Sequence, residues 1–142
     1  MNTKYFDELE FLRDIDLKKT EGLQQYKQKN YQVASEKFAE VLLDIEFGRE
    51  KNIKYESTIV KLDEFEIACR LNISQCSLNL GQYDLAINEG LKALKIKETA
   101  KAHYRIGQGY MQKQNYARAH HHFMLGINLL NDSMEVDACK TF

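Results

Sequence analysis

Two basic residues, Lys101 and Arg105, stand four positions apart in a stretch whose other residues are mostly apolar or small. Residues four apart lie on one face of a helix, so both cations would project together. Lysine supplies a mobile point charge, and arginine supplies a planar fork that matches a carboxylate. The spacing therefore predicts an anion-binding surface, although ordinary solvated helix charges show the same spacing.

The other residues capable of chemistry do not form a catalytic or metal-binding pattern. His120, His121 and His122 are consecutive, and helical residues fan out by about 100° each, so they cannot converge on one ion. Gly107 and Gly109 fall inside a predicted helix and indicate close helix packing instead of a phosphate loop. We therefore expect a binding module that is not an enzyme and that uses no metal and no cofactor.

Composition excludes several classes of protein. The chain has 142 residues, which suits one domain with its own core, and its 21 acidic and 20 basic residues nearly cancel. A nucleic-acid-binding protein would carry a basic excess. Proline is absent, which favours a helical chain. No run of 18 apolar residues and no signal-peptide pattern occurs, so we expect no membrane partner and a cytoplasmic location.

The three cysteines are Cys69, Cys76 and Cys139. Cys69 and Cys76 would lie two helical turns apart, about 10 Å along the axis, which is too far for a disulfide. Their spacing does not match a zinc site. We expect buried thiols in a reducing compartment.

The elements that must position Lys101 and Arg105 are repeated helical hairpins. A Tyr-x-x-Ala pattern begins at Tyr31, Tyr83 and Tyr116, each time where a second helix is expected to start. The second and third copies are 33 residues apart, and the first and second are 52 apart, so the first interval contains an insertion. A hairpin that recurs at this period cannot bury its apolar face alone, so neighbouring hairpins must stack.

These patterns predict an all-α fold, a single domain over 1–142 with three stacked hairpins and a short C-terminal helix. The predicted bounds are a helical extension at 3–13, a first repeat at about 14–47, a loop at 48–56, a second repeat at about 57–97, a third at about 98–130, and a terminal helix at 133–141. The segment 131–133 predicts the last break, and Ser133 with Asp137 predicts the start of the terminal helix.

The repeated pattern resembles the tetratricopeptide repeat (TPR), a hairpin of about 34 residues that stacks into a right-handed superhelix with a concave groove. The stretches 71–83 and 101–105 resemble the second and third repeats in the C-terminal TPR domain of the large immunophilins, of the FK506-binding and cyclophilin types. A long insertion between the first two repeats is also typical of them. In that family the groove holds the C-terminal Glu-Glu-Val-Asp of a cytosolic heat-shock chaperone, clamped by its terminal carboxylates.

The resemblance assigns roles to particular residues of this chain. It implies a carboxylate clamp of Lys19, Asn72, Lys101 and Arg105. The remaining clamp position, an asparagine in the family, falls on Leu23. The residues that are expected to line the groove are Leu23, Tyr26, Gln75, Gln108 and Met111. Charge-assisted hydrogen bonds to a carboxylate contribute roughly 1.5–3 kcal/mol each, and the donor missing at Leu23 costs on the order of 1 kcal/mol.

The function that the resemblance implies is a co-chaperone adaptor for the acidic C-terminal peptide of a heat-shock chaperone. Two alternatives stay open. Leu23 favours a TPR scaffold with a degenerate clamp, which binds another peptide or associates with itself. The second alternative is an enzyme-associated fragment, in which this domain only positions a catalytic partner chain. If the chain is a fragment, the resemblance implies that a prolyl isomerase domain precedes residue 1 in the parent protein. The sequence leaves the oligomeric state open.

Overall fold

The computed structural model describes residues 6–140, with side chains for 6–133, and this part of the chain contains six α-helices and no strand. The helices are α1 (Glu8–Lys27), α2 (Tyr31–Arg49), α3 (Glu56–Asn79), α4 (Tyr83–Ile96), α5 (Ala100–Gln112) and α6 (Tyr116–Lys140). Helices α1 and α2, α3 and α4, and α5 and α6 pack as hairpins. The predicted all-α fold of three stacked hairpins is confirmed.

The same turn closes all three hairpins. Lys29, Gly81 and Gln114 each adopt a left-handed backbone conformation, with φ values of 64°, 75° and 62°. The amide of the following residue donates to the carbonyl five positions upstream, at 2.8–2.9 Å in every turn. This is a Schellman motif, which satisfies carbonyl groups at the end of the first helix. Turns of one geometry at matching positions confirm that the chain is built from one repeated unit.

The first helices of the hairpins form one layer of the stack. Helix α1 contacts α3, and α3 contacts α5, whereas α2, α4 and α6 make no contact with one another in the described part. Helices α2 and α4 instead contact the first helix of the next hairpin. The odd-numbered helices therefore line the concave side of the stack, and the even-numbered helices lie on the convex side.

Glycines allow the two helices of a hairpin, and neighbouring hairpins, to approach closely. A Cβ atom added at Gly107 on α5 would lie 2.5 Å from the Phe123 ring on α6. One added at Gly109 would lie 2.5 Å from Ile87 on α4. The prediction that these two glycines reflect close helix packing is confirmed.

The largest core cluster lies between α1, α2 and α3. Its buried members are Ile15, Ala34, Phe38, Val41, Ile45, Leu62, Cys69, Ile73 and Cys76. Both of its cysteines are free thiols, which confirms the prediction for these two residues. Burial raises the pKa of Cys69 to about 12 and that of Cys76 to about 11, so neither is a nucleophile near neutral pH. Cys139 lies outside the described side chains.

The long first interval of the sequence is explained by longer helices. Helices α2 and α3 have 19 and 24 residues, against 14 and 13 for α4 and α5. The connecting loop is therefore shorter than predicted, because α2 runs to Arg49 and α3 begins at Glu56. At the N-terminal end α1 begins at Glu8, where the Asp7 side chain accepts from the amides of Leu9 and Glu10 at 3.1 Å. Residues 3–5 of the predicted extension lie outside the described range.

The predicted break before a separate terminal helix is wrong. Helix α6 runs without interruption to Lys140, so Ser133 and Asp137 lie inside it and do not start a helix. Asparagine, aspartate and serine lower helix propensity by only about half a kcal/mol each, and segment 131–133 contains no glycine or proline.

No helix in the described part is long and apolar enough to span a bilayer.

Candidate peptide-binding site

The predicted site residues come from the three helices that line the concave side. Helix α1 carries Lys19, Leu23 and Tyr26, helix α3 carries Asn72 and Gln75, and helix α5 carries Lys101, Arg105, Gln108 and Met111. Because α1 contacts α3 and α3 contacts α5, these residues belong to one continuous layer. The predicted residues are therefore distributed over all three hairpins.

Arg105 is a partly buried cation of this layer, and its guanidinium carbon lies 5.7 Å from the centre of the Tyr104 ring. Its guanidinium is partly buried and donates from Nη1 to Oε1 of Gln108 at 3.2 Å. Its Nε is buried and has no hydrogen-bond partner, and no carboxylate lies within ion-pair distance among the described side chains. Burial lowers the pKa of Arg105, opposed by the nearby Tyr26 and Tyr104 hydroxyls. The guanidinium still stays charged at neutral pH.

Tyr26 connects the three helices of the concave layer. Its hydroxyl accepts from Nδ2 of Asn79 on α3 at 3.4 Å, and it lies near enough to Arg105 on α5 to act on its charge. The ring also packs edge-on against Tyr31 at 5.4 Å. Tyr26 therefore lies near Arg105, and its role as a groove-lining residue stays a prediction. Sequence reasoning missed Asn79, which follows Gln75 by one helical turn.

Three predicted groove residues meet at one cavity. Gln75, Gln108 and Met111 line a cavity of about 350 Å³ on α3 and α5. The other lining residues are Leu78, Asn79, Tyr104, Gln112 and Phe123. Tyr104 and Gln112 were not predicted, although they stand four residues on either side of Gln108 and share its helical face. The cavity is within the range of small-ligand pockets and is large enough for a peptide side chain.

The α1 and α3 members of the clamp make different contacts. The Lys19 ammonium lies 5.5 Å from the centre of the Phe65 ring, a cation–π geometry, and no carboxylate pairs with it among the described residues. Asn72 is partly buried, and its side chain has no hydrogen bond within the same part of the chain. Leu23 is partly buried and packs against the large core cluster. Lys19 and Asn72 therefore carry donor groups that no described residue uses in a hydrogen bond or ion pair, whereas Leu23 contributes to the core.

Lys101 does not share the cavity of Gln75 and Gln108. Its side chain is exposed and lies at the edge of a second groove, between α5 and α6, next to Tyr104. Among the described residues no hydrogen bond joins any two of the four clamp side chains. The structure thus places Lys101 one turn from Arg105 on α5, at the margin of the concave surface.

The opposite face of α5 is packed by histidines. His103 is buried, with Nδ1 at 3.0 Å from Nδ1 of His122 and Nε2 at 2.9 Å from Oε1 of Glu98. Burial lowers the pKa of His122, and the neighbouring His103 lowers it further. His120 and His121 are exposed, so the histidine tract does not converge. In the described part of the chain no three potential ligands come close enough to hold a metal ion.

Comparison with known proteins supports the fold. No family model matches the chain. Over an aligned stretch of 75 residues, this chain is 40% identical to FK506-binding protein 5 of Rhizopus delemar. The alignment covers 49% of this chain but only 20% of that protein. The structure is similar to the C-terminal TPR-containing domain of an FK506-binding protein of Plasmodium falciparum, with a TM-score of 0.65, 22% identity, and coverage of 92% of this chain and 97% of that domain. The TPR fold and the resemblance to an immunophilin TPR domain are confirmed.

Proposed function

We propose that this TPR domain is a protein-interaction module that binds the acidic C-terminal peptide of a heat-shock chaperone in the cytoplasm, as a co-chaperone adaptor. The observation that carries the proposal is Arg105. It is a partly buried, charged guanidinium on the concave side that has no carboxylate partner in the described part of the chain. A buried charge without a partner is costly, and a ligand carboxylate at this position removes that cost.

The neighbouring side chains extend the same chemistry. Lys19 and Lys101 are cations without an acidic partner among the described residues, and Asn72 keeps a neutral amide donor. A C-terminal aspartate presents two carboxylates close together, which suits several donors of this kind on adjacent helices. Gln75, Gln108 and Met111 line a cavity beside Arg105 that receives the side chains preceding the terminal residue.

We also propose that the chain is the non-catalytic TPR part of a prolyl isomerase. Two observations support this: both relatives are FK506-binding proteins, and this chain spans only a fifth of the length of one of them. Catalysis would then belong to a domain outside this sequence.

Leu23 limits the affinity that we expect. It offers no donor where the family has asparagine, and it packs against the core cluster. Loss of one such hydrogen bond weakens binding by about 1 kcal/mol, which is roughly fivefold. Because the site recognises charge, the affinity should also fall with ionic strength.

The test is a titration of the chain with fluorescein-labelled Met-Glu-Glu-Val-Asp, as the free acid and with an amidated C-terminus, followed by fluorescence anisotropy. We expect the amide to bind at least tenfold more weakly, because amidation removes one of the two terminal carboxylates. We also expect the free acid to bind more weakly as salt is raised. Equal affinities for the two peptides, or no binding of either, would reject the clamp.

A second candidate function is a scaffold whose groove accepts another peptide. The packing of Leu23 into the core favours it, because this position contributes to stability without contributing to carboxylate recognition. A peptide ending in a hydrophobic residue, Met-Glu-Glu-Val-Leu, separates the two functions. The clamp requires the aspartate-terminated peptide to bind more tightly, and the scaffold requires the reverse.

A further inference from the structure

A pair of histidines links the two helices of the third hairpin. His103 on α5 is buried, with 2% of its surface exposed, and its Nδ1 lies 3.0 Å from Nδ1 of His122 on α6. The uncharged ring of Tyr110 stacks on His122, with 5.8 Å between the ring centres. Both histidine rings are titratable, and neither belongs to the predicted peptide site.

The internal repeat places an ion pair at the same position of the second hairpin. The residues 33 positions earlier are Arg70 on α3 and Glu89 on α4, whose side chains pair at 2.9 Å. Arginine and glutamate both stay charged between roughly pH 5.5 and pH 8, whereas histidine changes its charge within this range. The third hairpin therefore has a titratable link where the second hairpin has a permanent ion pair.

The hydrogen bonds restrict how many protons the histidine pair can hold. Nε2 of His103 lies 2.9 Å from Oε1 of Glu98, and an ionised carboxylate only accepts, so this nitrogen carries a proton. Nδ1 of a neutral His103 is then bare, and it accepts a hydrogen bond from Nδ1 of His122. One added proton, at Nε2 of His122, leaves this hydrogen bond in place. A second added proton puts a hydrogen on both Nδ1 atoms, and two donors cannot bond to each other.

Most of the groups around the pair also oppose added positive charge. Burial lowers the pKa of His122, and the neighbouring His103 lowers it further. On α6, His121 and Arg118 lower the same pKa. Glu98 acts in the opposite sense, but its side chain is 57% exposed, so solvent screens its charge. Among the described residues, no hydrogen bond or ion pair from α4 reaches either ring.

We propose that the His103–His122 contact makes the third hairpin sensitive to acid: it holds α5 against α6 while the pair carries at most one added proton, and a second proton breaks it. In the unfolded chain both histidines take up a proton near their ordinary pKa of about 6.5. Below this pH the folded pair binds fewer protons than the unfolded chain. The stabilising contribution is therefore complete above about pH 6.5 and is lost as the pH falls. This inference does not rest on the proposed peptide function.

The first test is urea denaturation at about pH 7.5 and about pH 5.5, with EDTA present so that no metal ion competes for the rings. One proton missing from the folded state raises the equilibrium constant for unfolding about tenfold over this interval. His122→Asn places at this position a neutral amide that both donates and accepts, so His103 keeps a partner in either protonation state. We expect the rise in the wild type to exceed the rise in His122→Asn by about tenfold.

The matched control is His120→Asn, which replaces an exposed histidine on the same helix, two residues from His122. It should keep the pH dependence of the wild type. Equal pH dependence in the wild type and in His122→Asn would overturn the proposal. Loss of the rise in His120→Asn would also overturn it, because an exposed ring would then be its source.

A second measurement uses the wild type and needs no substitution. Long-range ¹H–¹⁵N correlation NMR of the folded, histidine-labelled protein reports which ring nitrogens carry protons. At about pH 5.5 we expect one ring of the pair to stay neutral while the exposed His120 is mostly charged. Two charged rings at positions 103 and 122, with unchanged backbone signals from α5 and α6, would contradict the proposal.

Discussion

Arg70 and Arg105 are both partly buried arginines on neighbouring helices, but their surroundings differ. Arg70 on α3 donates to Glu66 through Nε and to Glu89 through Nη1, both at 2.9 Å. Glu66 also accepts from Arg49 at 3.0 Å. Arg105 on α5 bonds only to the neutral amide of Gln108, and its Nε has no partner.

The comparison separates a cation that is ion-paired between helices from one that has no acidic partner in the described part of the chain. Acidic residues around Arg49 and Arg70 make ion pairs that join α2, α3 and α4. Asp44 and Glu21 make further pairs that join α1 and α2. None of them reaches Arg105. Arg105 instead donates to Gln108 and lies over the Tyr104 ring at 5.7 Å from its centre, and its role in binding a carboxylate stays a prediction.

The largest expected effect is the loss of peptide affinity when Arg105, the arginine without an acidic partner in the described part of the chain, is replaced. Arg105→Ala should weaken binding of the Met-Glu-Glu-Val-Asp peptide by about 10- to 100-fold, because one or two charge-assisted hydrogen bonds of about 1.5–3 kcal/mol are lost. The free energy of unfolding should change little. Anisotropy titration and urea denaturation measure the two effects.

Arg49→Ala is the control for Arg105→Ala, because it makes the same change of charge within the ion-paired region. It should leave the peptide affinity unchanged. A loss of similar size in both variants would mean that the peptide responds only to net charge, and the distinction between the two regions would fail.

Arg70→Met should act in the opposite sense, on stability and not on binding. It leaves Glu66 and Glu89, whose side chains are 17% and 9% exposed, without their shared cation. We expect the free energy of unfolding to fall by about 1–2 kcal/mol, less than for a fully buried ion pair, because Arg70 keeps 20% of its side chain exposed. Urea denaturation measures this change, and a weakened peptide affinity at unchanged structure would contradict it.

Leu23→Asn should sharpen the comparison by adding a donor to the concave side. We expect peptide affinity to rise about two- to tenfold, the contribution of one hydrogen bond. Leu23 packs against the core cluster, so the free energy of unfolding should fall by about 1 kcal/mol. If Leu23→Asn loses stability without gaining affinity, position 23 does not face the ligand.

The smallest expected effect is the pH dependence of stability that Glu66 contributes in the ion-paired region. Burial raises the pKa of Glu66, but hydrogen bonds from Arg70 and Arg49 outweigh it, and the pKa lies below its ordinary value of 4.5. A carboxyl group with a lowered pKa stabilises the fold above pH 4.5, and this contribution is lost as the pH falls through its pKa in the folded state. Urea denaturation between pH 3 and pH 6 should show a flatter profile for Arg70→Met than for the wild type; identical profiles would remove Glu66 as the cause.

The helical hairpins were predictable because they depend on local patterns. Tyr31, Tyr83 and Tyr116 each begin the second helix of a hairpin, as the Tyr-x-x-Ala repeat indicated. The C-terminal end of α6 was not predictable in the same way. The polar residues at 131–133 disfavour a helix only weakly, so they did not end it.

The site was only partly predictable. The helical period and the family resemblance assign Lys19, Asn72, Lys101 and Arg105 to the clamp, and the structure places them on the three helices of the concave side. Whether those donors together recognise a carboxylate stays a prediction. Tyr104 and Asn79 share helical faces with Gln108 and Gln75, but the sequence does not show that these two faces meet at one cavity, because that depends on how α3 and α5 pack.

The sequence by itself determined the repeated unit, because the spacing of tyrosine, alanine and glycine residues controls helix pairing within a few turns of chain. The tertiary structure alone decided which arginine is paired. Glu89 reaches Arg70 from another helix, 19 residues away, and Tyr26 approaches Arg105 from the first hairpin. Electrostatic environment depends on distances across the stack, and those distances are set only when the hairpins pack.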